Sequence, residues 1–290
     1  MLKKFGVVVW SVFGFIGFAF TGVFMAMQFG LFNVRGENAT RNAFFETAPK
    51  ATNLTKAIGT TSCLEQSSTG EITPVCAWNK SQEWTVVKAG LTKDQITIAD
   101  VADKTKVDAR MISAVVVPEQ LRFFTAERET YKKFFEPLKI LGSMTKFSLG
   151  VSGMKQDTAK SIERNAIDTN SAFYPGPGFS DLLVYPAATA HDAELYRRLT
   201  DDKSHYYSYL YTALYLKEIQ AQWAKSGYEI SARPDILVTL FNIGFAASKP
   251  KDSPQIGGSA IIVGGKNYSF GLLGTDYYQS DEMINLFARN

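Results

Sequence analysis

The segment Phe5–Phe32 constrains this chain more than any other feature, because it contains no charged residue. A helix rises about 1.5 Å per residue, and about 20 apolar residues are enough to cross the hydrocarbon core of a bilayer. The segment is too long for the apolar core of a signal peptide, and no clear cleavage site follows it. We expect a signal anchor over residues 1–33. The alternative is a buried helix of a soluble protein, but uniformly apolar core helices of this length are unusual.

Charges on either side of this segment predict its orientation. Lys3 and Lys4 precede it, whereas the charges of Arg35 and Glu37 after it roughly cancel. Positive charge is enriched on the cytoplasmic side of membrane helices. We therefore expect the N-terminus in the cytoplasm and the chain from about residue 34 outside it.

The overall charge argues against a nucleic-acid partner. The chain has 31 basic and 28 acidic residues, a formal net charge of +3, without a run of Lys and Arg interleaved with aromatics. Proteins that bind nucleic acid present basic patches of that kind to the phosphates. The 46% of hydrophobic residues instead predicts a sizeable core.

The two cysteines suit an exported chain. Cys63 and Cys76 bracket the polar loop "LEQSSTGEITPV", which is typical of a hairpin, and an oxidising compartment would keep the pair as a disulfide. Free thiols are the alternative. Neither cysteine has a His or Cys neighbour at metal spacing, so no metal site and no cofactor are expected.

Residues 34–90 have little helical periodicity and are predicted to be a juxtamembrane stem, in which "EWTVVKAG" is predicted as a strand. Helical patterns begin at Leu91. Thr92 and Gln95 have the spacing of a capping box, and the apolar residues that follow recur every three positions, as on one face of a helix. These apolar residues are Ile96, Ala99 and Ala102.

Four further helices are predicted: from about Asp108 past Pro118, from near Asp157, over 204–226, and from Pro234 to Gly244. Residues 165–200 are predicted to be irregular, 257–271 a hairpin, and 281–288 a short last helix. The domain over residues 91–290 is therefore predicted to be mainly α, with small β-hairpin additions.

One acid in the apolar stretch "ISAVVVPEQLRFF" suggests chemistry. On a helix, Ile112, Val115, Val116 and Glu119 have the spacing i, i+3, i+4, i+7 and therefore share a face. A carboxyl group against apolar walls loses solvation and holds its proton to higher pH, as a general acid must.

Two neighbours of Glu119 affect this interpretation. Pro118 removes a backbone N–H, so the helix is expected to kink or end where the carboxylate emerges. An ordinary ion pair of Glu119 with Arg122, one turn later, is the alternative explanation of the acid.

Three stretches in order carry a resemblance: "VVVPEQLRFF" with Glu119, "SLGVSGMKQDTA" with Gly150 at a turn and Thr158 in the next helix, and "LVTLFNIG" with Asn242. The chain here resembles the lysozyme-like superfamily, specifically the bacterial lytic transglycosylases and goose-type lysozymes. That family has a catalytic Glu at the end of an apolar helix, a Gly-Leu-Met-Gln turn, and an Ala-Tyr-Asn-Ala-Gly helix end. The resemblance covers roughly residues 91–287.

The resemblance implies a lysozyme-like α+β fold and a cleft for peptidoglycan glycan strands. Its site residues would be Glu119 as the catalytic acid and, as substrate-binding residues, Ser148, Gly150, Ser152, Tyr211, Phe241 and Asn242. Three positions depart from the family pattern, because Ser152 replaces its Met, Gly153 its Gln and Phe241 its Tyr. These departures leave open a non-catalytic scaffold or glycan-binding subunit of an envelope complex. A helical interaction domain without sugar binding is a third hypothesis.

The implied reaction needs only one carboxyl group. Glu119 would protonate the glycosidic oxygen between N-acetylmuramic acid and N-acetylglucosamine, and then deprotonate the muramyl 6-hydroxyl to close a 1,6-anhydro ring. Hydrolysis would need a second acid, for which Asp157 and Asp168 are candidates, although both positions are more typical of helix starts and loops. The implied location is the bacterial inner membrane, with the domain in the periplasm, and enzymes of this kind imply an envelope-spanning complex as a partner.

Aromatic residues and histidines elsewhere have mainly structural interpretations. Tyr207, Tyr211 and Tyr215 recur every four residues, which is typical of a core or a cleft wall. In the resembled family a tyrosine hydrogen-bonds the catalytic acid, and the candidates here are Tyr268, Tyr277 and Tyr278. His191 and His205 are interpreted as structural or surface residues.

Overall fold

The computed structural model describes residues 77–125, 148–201, 203–264 and 266–289, the strands 64–66 and 72–74, and four helical positions, Gly14, Phe18, Thr21 and Gly22. The rest of the predicted anchor segment lies outside the described residues, as do both cysteines of the predicted disulfide. Within the described part of the chain, no helix has the length and apolar composition that a membrane span requires. By its contacts the chain divides into two compact units, residues 1–43 and 44–290.

The second unit is mainly helical, as the sequence predicted. Its helices are α1 (Gln82–Lys93), α2 (Gln95–Thr105), α3 (Ala109–Thr125), α4 (Gln156–Ile167), α5 (His191–Thr200), α6 (Tyr206–Lys225), α7 (Pro234–Ile243) and α8 (Phe270–Gln279). Short 3-10 turns cover Ala77–Lys80, Ser180–Leu183 and Phe245–Ala247. Among these residues the β structure is limited to three small hairpins.

Each hairpin pairs two antiparallel strands. Strands β1 (Leu64–Gln66) and β2 (Ile72–Pro74) pair Leu64 with Pro74, so a hairpin does form between the two cysteine positions. Strands β3 (Ser148–Leu149) and β4 (Met154–Lys155) pair around the glycine turn, and β5 (Ala260–Val263) and β6 (Lys266–Ser269) form the predicted C-terminal hairpin.

Helix α3 is the centre of the unit, because every residue from Met111 to Glu119 is buried. The predicted face of Ile112, Val115 and Val116 is buried, but so are the other faces, since helices surround α3 on all sides. The predicted continuation of the helix past Pro118 is confirmed, because α3 extends to Thr125; of the two effects expected of Pro118, an end of the helix is therefore wrong. A proline removes only one helical hydrogen bond, and tertiary packing outweighs that loss here.

Helix α8 runs antiparallel to α3 and contacts it at three levels. At one end the Arg122 guanidinium lies 5.9 Å from the Phe270 ring. In the middle, a methyl group built on Gly274 would stand 2.4 Å from the carbonyl oxygen of Ala114, so only glycine allows this approach. At the other end, buried Arg110 binds backbone carbonyls of the segment that ends α8.

Arg110 is fully buried and donates to five backbone carbonyls. Their residues are Tyr277, Tyr278, Ser280, Glu282 and Phe287. Burial lowers the pKa of Arg110, and the ring of Tyr277 lies 4.9 Å from the guanidinium. The C-terminal segment is therefore fixed by one side chain of α3.

The predicted strand "EWTVVKAG" lies in helix α1, so that prediction is wrong. The hydroxyl of Ser81 accepts a hydrogen bond from the Trp84 backbone N–H at 3.0 Å, which caps the helix. Trp84, Val87 and Leu91 then share a buried face. Trp84 contacts Trp78 edge to face, so the packed core extends N-terminal to the boundary predicted at residue 91.

The face predicted for α2 is also wrong. Ile96 is 80% exposed, whereas Ile98, Val101 and Thr105 are buried. A strict three-residue recurrence falls behind the 3.6-residue turn by about 60° per step, so it does not follow one face. Thr92 also does not cap α2, because its hydroxyl donates to the Lys88 carbonyl.

Two further boundaries differ from the predictions. Residues 165–200 contain helix α5 as well as irregular backbone, and residues 281–288 form turns, the last helix being α8. The predicted helices from 108, from 157, over 204–226 and from Pro234 are confirmed. Helix α7 ends at Gly244, whose φ of 96° suits a residue without Cβ.

Candidate functional site

Glu119 lies on α3 with its side chain 3% exposed. Nη2 of Arg122 donates to both carboxylate oxygens, at 2.7 and 2.8 Å. The ion pair offered as the alternative explanation of this acid is therefore present. Both side chains are largely buried, so the pair is far less screened by water than an ordinary surface ion pair.

The glycine turn lies directly against this carboxylate. A methyl group built on Gly153 would stand 1.9 Å from Oε1 of Glu119, and the φ of Gly153 is 61°. The side-chain amide of Gln120 donates to the Val151 carbonyl, so a hydrogen bond also joins α3 to the turn. Glycine at position 153 is thus required by the position of Glu119.

The third stretch reaches Glu119 through two polar residues. Asn242 lies near the end of α7, and its Oδ1 accepts from the Ser259 N–H at 2.8 Å and from the Ser259 hydroxyl at 3.2 Å. Nη1 of Arg122 donates to the same hydroxyl at 3.2 Å. The sequence Glu119–Arg122–Ser259–Asn242 is therefore one connected network. Sequence reasoning missed Ser259, which has no local signal in the chain.

The three stretches of the resemblance thus converge on one carboxylate, which is the arrangement on which the proposal of function depends. The arrangement provides one acid or base, Glu119, which is paired with the Arg122 guanidinium and packed against Gly153. In the described residues no group of three metal-ligating side chains is close enough to hold a metal ion.

Other residues of the second stretch position the turn. A methyl group on Gly150 (φ 65°) would stand 2.2 Å from the Leu199 carbonyl oxygen. Ser152 is fully buried and donates to the Ser208 carbonyl at 3.3 Å. Both residues therefore fit the turn against α5 and α6. Ser148 pairs with Lys155 in the short hairpin.

The predicted tyrosines and Phe241 lie in different surroundings. Phe241 is half-buried with its ring 5.1 Å from that of Tyr215, whose hydroxyl donates to the Leu240 carbonyl. Tyr207 stacks on Arg198 at 4.2 Å. Tyr211 is fully buried and donates to Glu163, not to Glu119, so the structure does not bring it to the candidate site.

Of the three candidates for a tyrosine beside the acid, two lie elsewhere. Tyr277 packs against Trp78 and the Arg110 guanidinium, and Tyr278 donates to Asp108 at 3.0 Å. Arg110 precedes Glu119 by nine residues on α3, which corresponds to about 13 Å along the helix. The third candidate, Tyr268, is buried on β6 opposite Ile261.

The candidates for a second acid are structural, as their sequence positions indicated. Asp157 is exposed in the first turn of α4, and its carbonyl accepts from the Ser161 hydroxyl. Asp168 is exposed after α4, where its carboxylate accepts from the Asn170 N–H.

A second polar cluster surrounds Glu163 on α4. Its Oε1 accepts from the hydroxyls of Tyr185 and Tyr211, and Nε2 of His191 lies 2.7 Å from Oε2. Burial and the bond to Glu163 raise the pKa of both tyrosines above their usual range. Sequence analysis interpreted His191 without a partner, since Glu163 lies 28 residues earlier.

Comparisons of this chain with protein-family models, with curated proteins and with solved structures find no match.

Proposed function

We propose that this chain is a membrane-anchored lytic transglycosylase that cleaves the bond between N-acetylmuramic acid and N-acetylglucosamine in peptidoglycan. A single observation carries the proposal, namely that three distant stretches of the chain meet at Glu119. The Gly150–Gly153 turn touches its carboxylate directly, and Asn242 is connected to it through Ser259 and Arg122. Such convergence of distant stretches is what a lysozyme-like site requires. The fold would then be lysozyme-like, and the segment Phe5–Phe32 would restrict the enzyme to glycan near the bacterial inner membrane.

In this mechanism Glu119 acts first as general acid and then as general base. It delivers a proton to the glycosidic oxygen as an oxocarbenium-like centre develops, and the resulting carboxylate takes the proton of the muramyl 6-hydroxyl. Arg122 occupies both oxygens of Glu119 in the structure, so the acid must exchange part of this pairing for substrate contacts.

The burial of Glu119 favours a second candidate function. Its carboxylate is 3% exposed and accepts two hydrogen bonds from the Arg122 guanidinium, which suits a structural role. In that case the chain is a non-catalytic scaffold or glycan-binding subunit of an envelope complex.

One assay separates these functions. Full-length protein purified in detergent is incubated with peptidoglycan, and the released muropeptides are analysed for 1,6-anhydro ends. The Glu119→Gln variant is compared with Glu194→Gln, since Glu194 is also largely buried and pairs with Arg197, three residues later, at 2.7 Å and with the buried Arg198 at 3.2 Å. The matched pair controls for loss of a buried ion pair as such.

For the transglycosylase we expect 1,6-anhydro products from the wild type and from Glu194→Gln, and at least a 100-fold loss with Glu119→Gln, the scale of general acid–base catalysis. Release of reducing ends without the anhydro ring would identify a hydrolase. Glycan binding without any release would support the non-catalytic subunit, and equal release by Glu119→Gln would rule out Glu119 as the acid.

A further inference from the structure

A cleft of about 460 Å³ opens beside α4 and does not involve the residues around Glu119. Its walls are α4, the turn Ser180–Leu183 with the two residues after it, and the start of α5. Clefts of 300–1,000 Å³ are typical of small-ligand sites. The lining combines charged side chains with exposed aliphatic ones, and this combination indicates the kind of ligand.

The carboxylates of the cleft are already satisfied by the protein. Glu163 accepts from two tyrosines and faces His191. Asp192 pairs with Lys160 at 2.8 Å and with Nδ1 of His191 at 3.1 Å. Because both ring nitrogens of His191 face carboxylates, the doubly protonated ring fits best, and its bonds to Asp192 and Glu163 raise the pKa of His191.

Cations therefore outnumber anions in the cleft, three to two: Lys160, Arg164 and His191 against Glu163 and Asp192. Arg164 is the cation without an acidic partner in the described part of the chain. It is exposed, and its guanidinium donates to the Ser161 hydroxyl at 2.8 Å. The cleft thus presents a guanidinium that is available to an anion.

Aliphatic side chains lie beside this guanidinium. Ile167 and Val184, each 69% exposed, line the cleft, and Leu183 is buried between its walls. A planar guanidinium binds a carboxylate through two parallel hydrogen bonds. The preferred ligand therefore has a carboxylate and a small aliphatic body.

We propose that this cleft binds the C-terminal carboxylate of a short aliphatic peptide, such as the D-alanyl-D-alanine end of a peptidoglycan stem peptide. Arg164 holds the carboxylate, and Ile167 and Val184 contact the methyl side chains. The peptidoglycan origin of the peptide rests on the proposed function, whereas the recognition of its carboxylate does not.

The position of the cleft agrees with this ligand. The side-chain amide of Gln156 donates to the Asp192 carbonyl at 3.0 Å, and Gln156 follows Gly153 by three residues. The cleft and the Glu119 site therefore flank the same stretch of chain.

The test measures binding without cleavage. Full-length protein in detergent is titrated calorimetrically with diacetyl-L-lysyl-D-alanyl-D-alanine, and in parallel with the same peptide as its C-terminal amide. Two variants at exposed positions, Arg164→Gln and Ile167→Glu, are compared with Lys93→Gln, which removes one exposed positive charge outside the cleft. Inorganic phosphate serves as a competitor.

We expect saturable one-to-one binding of the acid, at least tenfold weaker binding of the amide, and a loss of at least tenfold with Arg164→Gln and Ile167→Glu but not with Lys93→Gln. No binding, equal binding of acid and amide, or unchanged binding by Arg164→Gln would overturn the proposal. Phosphate that displaces the peptide at equal concentration would also overturn it, because the cleft would then be a general anion site. Peptide binding without 1,6-anhydro products would reject the proposed enzyme and leave the cleft assignment standing.

Discussion

Gly153 touches the carboxylate of Glu119 so closely that no other amino acid fits at position 153 without moving the acid. The contact joins two elements that are separated by more than 30 residues, and it makes the conformation of the glycine turn a condition for the position of Glu119. Several measurable properties of the protein depend on this arrangement.

The first prediction concerns Gly153→Ala. The methyl group would meet Oε1 of Glu119 at 1.9 Å, so we expect a loss of about 1–3 kcal/mol of unfolding free energy beyond the backbone strain. Gly178→Ala is the matched control, because Gly178 also has a positive φ (86°) but no heavy atom within 4 Å of the added methyl. The backbone strain of an alanine at positive φ costs about 1–3 kcal/mol in both variants. Equal urea midpoints for the two variants would show that the Glu119 contact can relax.

The ion pair of Glu119 and Arg122 gives the second prediction. Arg122→Met leaves a carboxylate buried without its guanidinium, and we expect a loss of about 3–5 kcal/mol of unfolding free energy. The double variant Glu119→Leu, Arg122→Met removes both charges and is expected to lose less than Arg122→Met alone. Chemical unfolding of Arg122→Met, Glu119→Leu and the double variant measures the coupling energy between the two side chains. If the losses of the two single variants add up to the loss of the double variant, the two side chains are not coupled.

Glu218 provides a prediction about pH. It is fully buried on α6, and Nδ2 of Asn165 donates to its Oε2 at 2.9 Å, while burial raises the pKa of Glu218 to about 9. The folded protein therefore keeps a proton that the unfolded chain releases above about pH 4.5. Stability contributed by this group is present below pH 4.5 and falls by about 1.4 kcal/mol per pH unit up to about pH 9.

Glu218→Gln removes this pH dependence of the unfolding free energy, and its side-chain carbonyl preserves an acceptor for Asn165. We expect the variant to be more stable than the wild type at pH 8, with an advantage that shrinks as the pH approaches 5. Glu229→Gln, at an exposed position, is the control and should leave the slope above pH 5 unchanged. Thermal unfolding at pH 5, 6.5 and 8 gives the comparison; parallel wild-type and Glu218→Gln curves would mean that Glu218 is ionised in the folded state.

Arg110 leads to the fourth prediction. Arg110→Met leaves the five carbonyls of the C-terminal segment without their common donor, and an unpaired buried carbonyl costs about 1–3 kcal/mol. We expect a loss of at least 4 kcal/mol and faster amide hydrogen exchange in residues 280–289. Arg233→Met is the control, since Arg233 pairs with one nearby acid, Asp235. Unchanged exchange in residues 280–289 would show that other contacts hold this segment.

Some of the fold could be predicted from local sequence because local backbone chemistry determines it. Pro234 begins α7 and Gly244 follows its last residue, since proline suits a first helical turn and glycine a positive φ after the last turn. Helix α1 was not predicted because Thr85 and Val86 favour strands, while the burial of Trp84 against Tyr277 of α8, which outweighs that preference, depends on tertiary packing.

The candidate site was predictable only in part for the same reason. Glu119 stands out because a charged residue in an apolar stretch is locally unusual. Ser259 has no such signal, and it becomes important only because the β5–β6 hairpin brings it between Asn242 and Arg122. Glu163 was missed because its partners Tyr185, Tyr211 and His191 come from three other parts of the chain.

The contact between Ala114 and Gly274 has a mechanical consequence. Pro118 has no N–H, so the Ala114 carbonyl lacks its usual helical donor, and the Cα of Gly274 covers that carbonyl instead. Helix α8 is thereby attached along the length of α3, through contacts at Arg122, at Ala114 and at Arg110. Bending of α3 at Pro118 would have to break these three contacts together. Helix α8 therefore keeps α3 straight at the position of Glu119, although α3 contains an interior proline.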